Sequence, residues 1–125
     1  MTTILVIDDQ EDLRHLFKFL LRGMGCQFLE AANGLDGQLL ALKHQPDVIL
    51  LDIMMPILDG HDTCRHLRDA GYDGVVVLMS AFSPLVETEK ALKVGATAYL
   101  QKPITSVMLQ DQLNKLGIHT PLHID

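Results

Sequence analysis

Val48-Ile49-Leu50-Leu51-Asp52 is a run of four apolar residues closed by a single carboxylate. An apolar run of that length with no polar alternation predicts a strand buried on both faces, as in a parallel sheet with helices on either side. Comparable runs lie on both sides of it: Ile4-Leu5-Val6-Ile7 ahead of Asp8-Asp9, Val75-Val76-Val77-Leu78-Met79 ahead of Ser80, and Ala98-Tyr99-Leu100 shortly ahead of Lys102. Cys26-Gln27-Phe28-Leu29-Glu30-Ala31 is more mixed and reads as a second strand nearer an edge of the sheet.

The segments between these strands carry helical signals. Leu13, Phe17, Leu20, Leu21 and Met24 repeat at helical spacing and stop in the region of Gly23 to Gly25. A second helix is expected from about Asn33 to His44, ending before Pro46. Asp59 is placed to cap a third, with Asp62 in its first turn. Ser83-Pro84 combines a capping hydroxyl with a proline at the first helical position, and Gly95 supplies the stop. A fifth helix follows Thr105 and carries Val107, Met108, Leu109, Leu113 and Leu116 before Gly117. Strict alternation of strand and helix, with right-handed crossovers, gives a doubly wound α/β fold of five βα units.

The chain has 125 residues, enough for one domain with a core that needs no disulfide. Cys26 and Cys64 form no C-x-x-C pair and lie among apolar neighbours, so both are expected reduced. Net charge is −6, and the ten Lys and Arg residues are scattered, which gives no footprint for direct nucleic-acid binding. Met1-Thr2-Thr3 leads into the first strand without a basic leader, and no apolar stretch approaches the roughly 18 residues of a membrane span. The expectation is a cytoplasmic protein with no membrane contact: a domain over 1–118 and a short tail over 119–125.

In a doubly wound sheet, ligands gather beyond the carboxyl ends of the strands. Here those ends carry Asp8-Asp9, Asp52, Ser80 and Lys102. Each has an ordinary reading by itself: an acidic turn, a strand-ending aspartate, a solvated lysine. Together they place three carboxylates, a hydroxyl and an ammonium in one crevice. Three carboxylates repel, and burial raises the cost of ionising them unless a cation is present. All-oxygen ligands without His or Cys favour Mg²⁺, or Mn²⁺. His119 and His123 have a suggestive spacing but no partner ligands, so they are not read as a zinc site. A nucleotide cofactor is disfavoured as well, since Asp8-Asp9-Gln10-Glu11-Asp12 offers negative charge where a phosphate-binding turn would offer N–H groups.

Val6-Ile7-Asp8-Asp9, Leu51-Asp52-Ile53-Met54-Met55-Pro56 with Asp59-Gly60, Met79-Ser80-Ala81 and Lys102-Pro103 resemble the response-regulator receiver domains, in order and spacing, from Ile4 to Leu116. The resemblance implies a flavodoxin-like three-layer sandwich with a parallel sheet of order 2-1-3-4-5. It implies a phosphoryl group accepted on Asp52 from a histidine kinase or histidine phosphotransfer protein. Mg²⁺ would be held by Asp9, Asp52 and the backbone carbonyl of Met54, with Asp8 acting mainly through a metal-bound water. Lys102 would pair with the phosphoryl oxygens and Ser80 would hydrogen-bond to them. Tyr99 would turn inward with Ser80 and reshape the face of helix four, strand five and helix five, which a downstream partner or output domain reads. A cis peptide is implied at Lys102-Pro103.

Such a protein is a signalling switch that promotes its own phosphorylation and dephosphorylation, a monomer or weak dimer. Met54 and Phe82 are bulky apolar residues at positions that can tune the lifetime of the phosphorylated state. Ser80 stands where the family more often has Thr. Thr97-Ala98 replaces acidic residues usual in receivers joined to winged-helix DNA-binding domains, which argues against that kind of dimer. His15, His44, His61 and His66 read as surface residues. The rivals are a pseudo-receiver that only docks, which the complete set of Asp8, Asp9, Asp52, Ser80 and Lys102 opposes, and an aspartyl-phosphate phosphohydrolase, which would carry Asp-x-Asp after strand one. A third alternative is a receiver excised from a longer signalling protein.

Overall fold

The computed structural model describes residues 1–118, so the tail with His119 and His123 lies outside the described residues. The order is β1 (Thr3–Ile7), α1 (Glu11–Gly23), β2 (Gln27–Ala31), α2 (Gly34–His44), β3 (Val48–Asp52), α3 (Gly60–Asp69), β4 (Val75–Ser80), α4 (Pro84–Lys93), β5 (Ala98–Gln101) and α5 (Ser106–Lys115). All pairings are parallel and the sheet order is β2-β1-β3-β4-β5, as expected.

The apolar runs are continuous because both faces of the central strands are covered. Leu5, Ile7, Ile49, Leu51, Val76 and Leu78 face one side, with Ala41 of α2, Cys64 and Leu67 of α3 and Ala91 of α4. Ile4, Val6, Val48, Leu50, Val77 and Met79 face the other, with Phe17 and Leu21 of α1 and Leu109 and Leu113 of α5. The pleat thus sorts alternate residues of each run into two separate cores. Cys26 and Cys64 are free and buried, and burial pushes both thiols up. Among the described residues no helix is long and apolar enough to cross a membrane.

Asn33, Asp59, Ser83 and Thr105 cap α2, α3, α4 and α5 through their side chains. Two expectations need correction. Ala98-Tyr99-Leu100 was expected to be buried on both faces; Tyr99 packs on one core and Ala98 and Leu100 on the other, but at the edge of the sheet all three are only half-buried. Val107, expected on the inner stripe of α5, is 76% exposed, and the buried residues of α5 are Leu109 and Leu113.

The inner face of α4 is small: Glu87 and Ala91 are buried, with Val94 partly so at its end. Beside it, Arg68 at the end of α3 fastens three chain segments. Its guanidinium donates to the carbonyls of Gly95 (2.8 Å), Tyr72 (2.9 Å) and Gly74 (2.7 Å). It also reaches the Thr97 hydroxyl (3.4 Å), which in turn accepts from the Val76 N–H (3.1 Å). Thr97 therefore serves the start of β4 from within the chain. Hydrogen bonds to a charged group contribute more than neutral ones, so Arg68→Ala should lower stability by about 2–3 kcal/mol. Urea denaturation followed by circular dichroism reads that loss directly.

Candidate functional site

β1 and β3 end side by side, with Ile7 opposite Leu51, so Asp8 and Asp52 leave the sheet together. One carboxylate oxygen from each of Asp8, Asp9 and Asp52 lies within 4.8 Å of the others. Asp8 is fully buried, Asp52 is 4% exposed, and Asp9 stands at the solvent side. β5 stops at Gln101, and the next residue, Lys102, turns its ammonium onto Asp8 Oδ2 (3.0 Å) and Asp52 Oδ1 (3.3 Å). The Lys102-Pro103 peptide is cis, as implied.

Each carboxylate is held by the local backbone. Gln10 N–H donates to Asp8 Oδ1 (3.0 Å), and Met54 N–H turns back onto Asp52 Oδ1 (3.4 Å). Arg14 on the first turn of α1 clamps the Asp8 carbonyl (2.8 Å) while its Nε bonds Glu30 (2.8 Å) on β2. Gly60 lets α3 begin hard against the end of β3: a Cβ there would lie 2.5 Å from the Asp52 carbonyl oxygen. Its N–H donates to Ile53 O (2.9 Å), closing the loop that leaves Asp52. Ile57 in that loop has φ 71°, a left-handed conformation that costs a β-branched residue roughly 1–3 kcal/mol.

Burial pushes the Asp52 carboxyl up from its usual range, and the Asp8 charge adds to the effect, while Lys102 and the Met54 N–H oppose it. One ammonium thus only partly offsets two buried carboxylates and a third at the rim. A small hard cation fits the remaining need, because every donor in the cluster is an oxygen.

Ser80 ends β4 and is buried. Its hydroxyl is 2.7 Å from the Tyr99 hydroxyl and accepts from Phe82 N–H (3.1 Å). Tyr99 therefore already points inward, and its hydroxyl also donates to the carbonyl of Phe82. Burial pushes the Tyr99 phenol up, the Ser80 hydrogen bond opposes that, and the Glu87 charge adds to it. Met54 (60% exposed) and Phe82 (47%), two residues beyond Asp52 and Ser80, are open to solvent.

His61 departs from expectation: it is not a surface residue. Its imidazole faces Glu87 of α4, Nε2 to Oε2 at 3.2 Å, with side chains 22% and 5% exposed. The two atoms lack the alignment of a hydrogen bond, and neither has a hydrogen-bond partner among the described residues. His15, His44 and His66 are exposed, as read from the sequence.

Sequence comparison decides the family, since the response regulator receiver domain matches residues 4–114. The chain belongs to the response regulator receiver domains. Among curated proteins this receiver domain is 32% identical to protein PilG of Pseudomonas aeruginosa, over 94% of this chain and 87% of that protein. It is 36% identical to response regulator MprA of a Mycobacterium species (strain KMS), over 80% of this chain but 44% of that protein. The receiver domain spans about half the length of several curated relatives, some of them described as transcriptional regulators. Among solved structures it superposes on the receiver domain of the sensor histidine kinase PA1611 from Pseudomonas aeruginosa, described with a magnesium ion in its active-site cleft. The TM-score there is 0.82 at 26% identity, covering 91% of this chain and 95% of that one.

Proposed function

We propose that this receiver domain takes a phosphoryl group on Asp52 from a phosphohistidine of a histidine kinase or histidine phosphotransfer protein, and that the change is read at α4, β5 and α5 by a partner or output domain. The observation that supports it most is the joint approach of Asp8, Asp9 and Asp52 with Lys102 spanning two of them. The oxygen cluster fits Mg²⁺, with Mn²⁺ as the alternative, and a magnesium ion is described in the cleft of the PA1611 receiver. Asp9, Asp52 and the Met54 carbonyl would hold the ion directly and Asp8 through water. Bound there, the ion would neutralise carboxylate charge and the charge of the incoming phosphoryl oxygens.

The Asp52 carboxylate oxygen then bonds to phosphorus as the phosphorus–nitrogen bond to the donor breaks, and the donor nitrogen keeps the electron pair. Lys102 meets the added negative charge. Ser80 must leave Tyr99 and Phe82 to donate to a phosphoryl oxygen, which gives the covalent event a route to Tyr99 and the end of α4. Charge-assisted hydrogen bonds of roughly 1.5–3 kcal/mol each are the right size to move a two-state equilibrium that takes about 5.5 kcal/mol to invert. The same site would hydrolyse the acyl phosphate, so the domain resets itself as a switch rather than turning over a substrate. The working location would be the cytoplasm, without direct contact to nucleic acid or membrane by this domain.

The test is incubation with acetyl phosphate and Mg²⁺ followed by intact mass measurement. One added phosphoryl group is expected, and an unmodified wild-type chain would remove the proposal. Met54 and Phe82 follow Asp52 and Ser80 by two residues each and are exposed, so their apolar side chains would hinder the hydrolytic water. Met54→Asn should accelerate loss of the phosphoryl group several-fold, measured by the decay of the phosphorylated mass after the donor is removed.

A further inference from the structure

α2 carries an apolar stripe on the side away from the core. Gly34, Gly37 and Ala41 face inward, and on the opposite side Leu35, Leu39 and Leu42 are 62%, 68% and 40% exposed. The inner contact is close, since a Cβ on Gly37 would lie 2.4 Å from Ile7 Cδ1. No rotation of the helix can therefore hide the leucines without pulling small residues out of the core.

The charges around the stripe are arranged in a particular way. With about 100° per residue and Leu39 pointing straight out, Leu35 and Leu42 fall about 40° and 60° to one side, and Lys43 and Asp36 about 40° and 60° to the other. Asp36 sits about 4.5 Å towards the N-terminus from Leu39 and Lys43 about 6 Å towards the C-terminus. A twofold axis through Leu39, perpendicular to the helix, lays a second α2 antiparallel on the first. Leu39 then meets Leu39, Leu35 meets Leu42 of the second copy, and Asp36 meets Lys43 of the second copy, twice, along one flank. Lys43 makes no ion pair among the described residues, and Asp36 is bonded only by the Asn33 side chain within its own cap. Antiparallel helix dipoles favour the same arrangement.

We infer that α2 is a self-association face, on which two copies of this chain pair antiparallel through Leu35, Leu39 and Leu42 with two Asp36–Lys43 ion pairs. Like any twofold interface it needs one self-complementary patch, which this stripe provides. Three partly exposed leucines per copy fall well below the roughly 800 Å² per partner of a stable complex, so the dimer is weak and concentration-dependent. The inference is independent of phosphorylation.

Sedimentation equilibrium on the full chain, from about 10 µM to about 1 mM, tests it. The expected result is a rise of the average mass towards two chains within that range, lost in Leu39→Asp. Asp36→Lys and Lys43→Glu should each weaken association roughly two- to tenfold, and the double exchange should restore it. Circular dichroism confirms that each variant is folded; all these residues are on the surface. A mass that stays at one chain up to about 1 mM overturns the inference. So does a dimer that survives Leu39→Asp, or one that is broken instead by Phe19→Asp on α1.

Discussion

Asp52→Asn is expected to take no phosphoryl group from acetyl phosphate and Mg²⁺, and yet to be the more stable protein when divalent cations are absent. The first half follows from the chemistry, because an amide oxygen is a poor nucleophile and would leave no stable acyl phosphate. The second half follows from electrostatics. Burial and the Asp8 charge hold the Asp52 carboxyl above its usual value of 3.8, so the native state binds this proton more tightly than the unfolded chain does. A raised acid contributes stability below its unfolded value and loses it as pH climbs through its folded value. At neutral pH the ionised group is therefore a net cost to the cation-free fold. Asparagine removes the charge and keeps the shape, which should gain roughly 1–2 kcal/mol at pH 7. Urea unfolding of both proteins with a chelator, from pH 4 upward, should show their stabilities diverging as pH rises. Millimolar Mg²⁺ should close the gap by stabilising the wild type alone. Equal stabilities throughout would mean that Asp52 is not strained by its neighbours.

Replacing the lysine has the opposite sign. Lys102→Met should destabilise the cation-free protein by about 3 kcal/mol, because removing one partner leaves a buried charge uncompensated. Among the described residues Asp8, fully buried, keeps only the Gln10 N–H, and Asp52 keeps only the Met54 N–H. Lys102 is 18% exposed at its side chain, which places the cost at the lower end of the range for buried pairs. Mg²⁺ should restore part of the loss, by supplying positive charge at the same carboxylates. The phosphorylated form should still be detectable by mass, but Tyr99 and α4 should respond weakly, since one of the two groups that can answer the phosphoryl oxygens is gone. Amide exchange in α4, with and without acetyl phosphate, measures that response. An unchanged urea midpoint would contradict the role given to the ammonium.

Much of this site was legible because its parts sit at strand ends. An apolar run closed by Asp52, another by Asp8-Asp9 and a third by Ser80 are local patterns, and parallel pairing alone brings their ends together. The caps Asp59 and Ser83 were local too. What escaped the sequence depends on partners without a sequence signature. The Arg68 contacts at Gly95, Tyr72 and Gly74 end on backbone carbonyls, which every residue carries. The Arg14 clamp on Asp8 is of the same kind. His61 and Glu87 are polar residues on helices, which by default face water. Only the packing of α3 beside α4 turns them towards each other. The burial of β5 was overestimated because Ala98-Tyr99-Leu100 is too short to distinguish an edge from a centre.

The exposed outer face of α4 has a consequence for how such a chain changes over generations. Its outward side chains, Leu85, Val86 and Leu92 among them, touch little of the core, and its inner face is little more than Glu87, Ala91 and Val94. Substitutions on the outer face are nearly free of folding consequences, whereas those in β1, β3 and β4 are not. On the proposed reading, in which a partner reads α4, a lineage could exchange the listener while keeping the receiver, and copies of one gene could drift into separate circuits without first passing through an unstable protein.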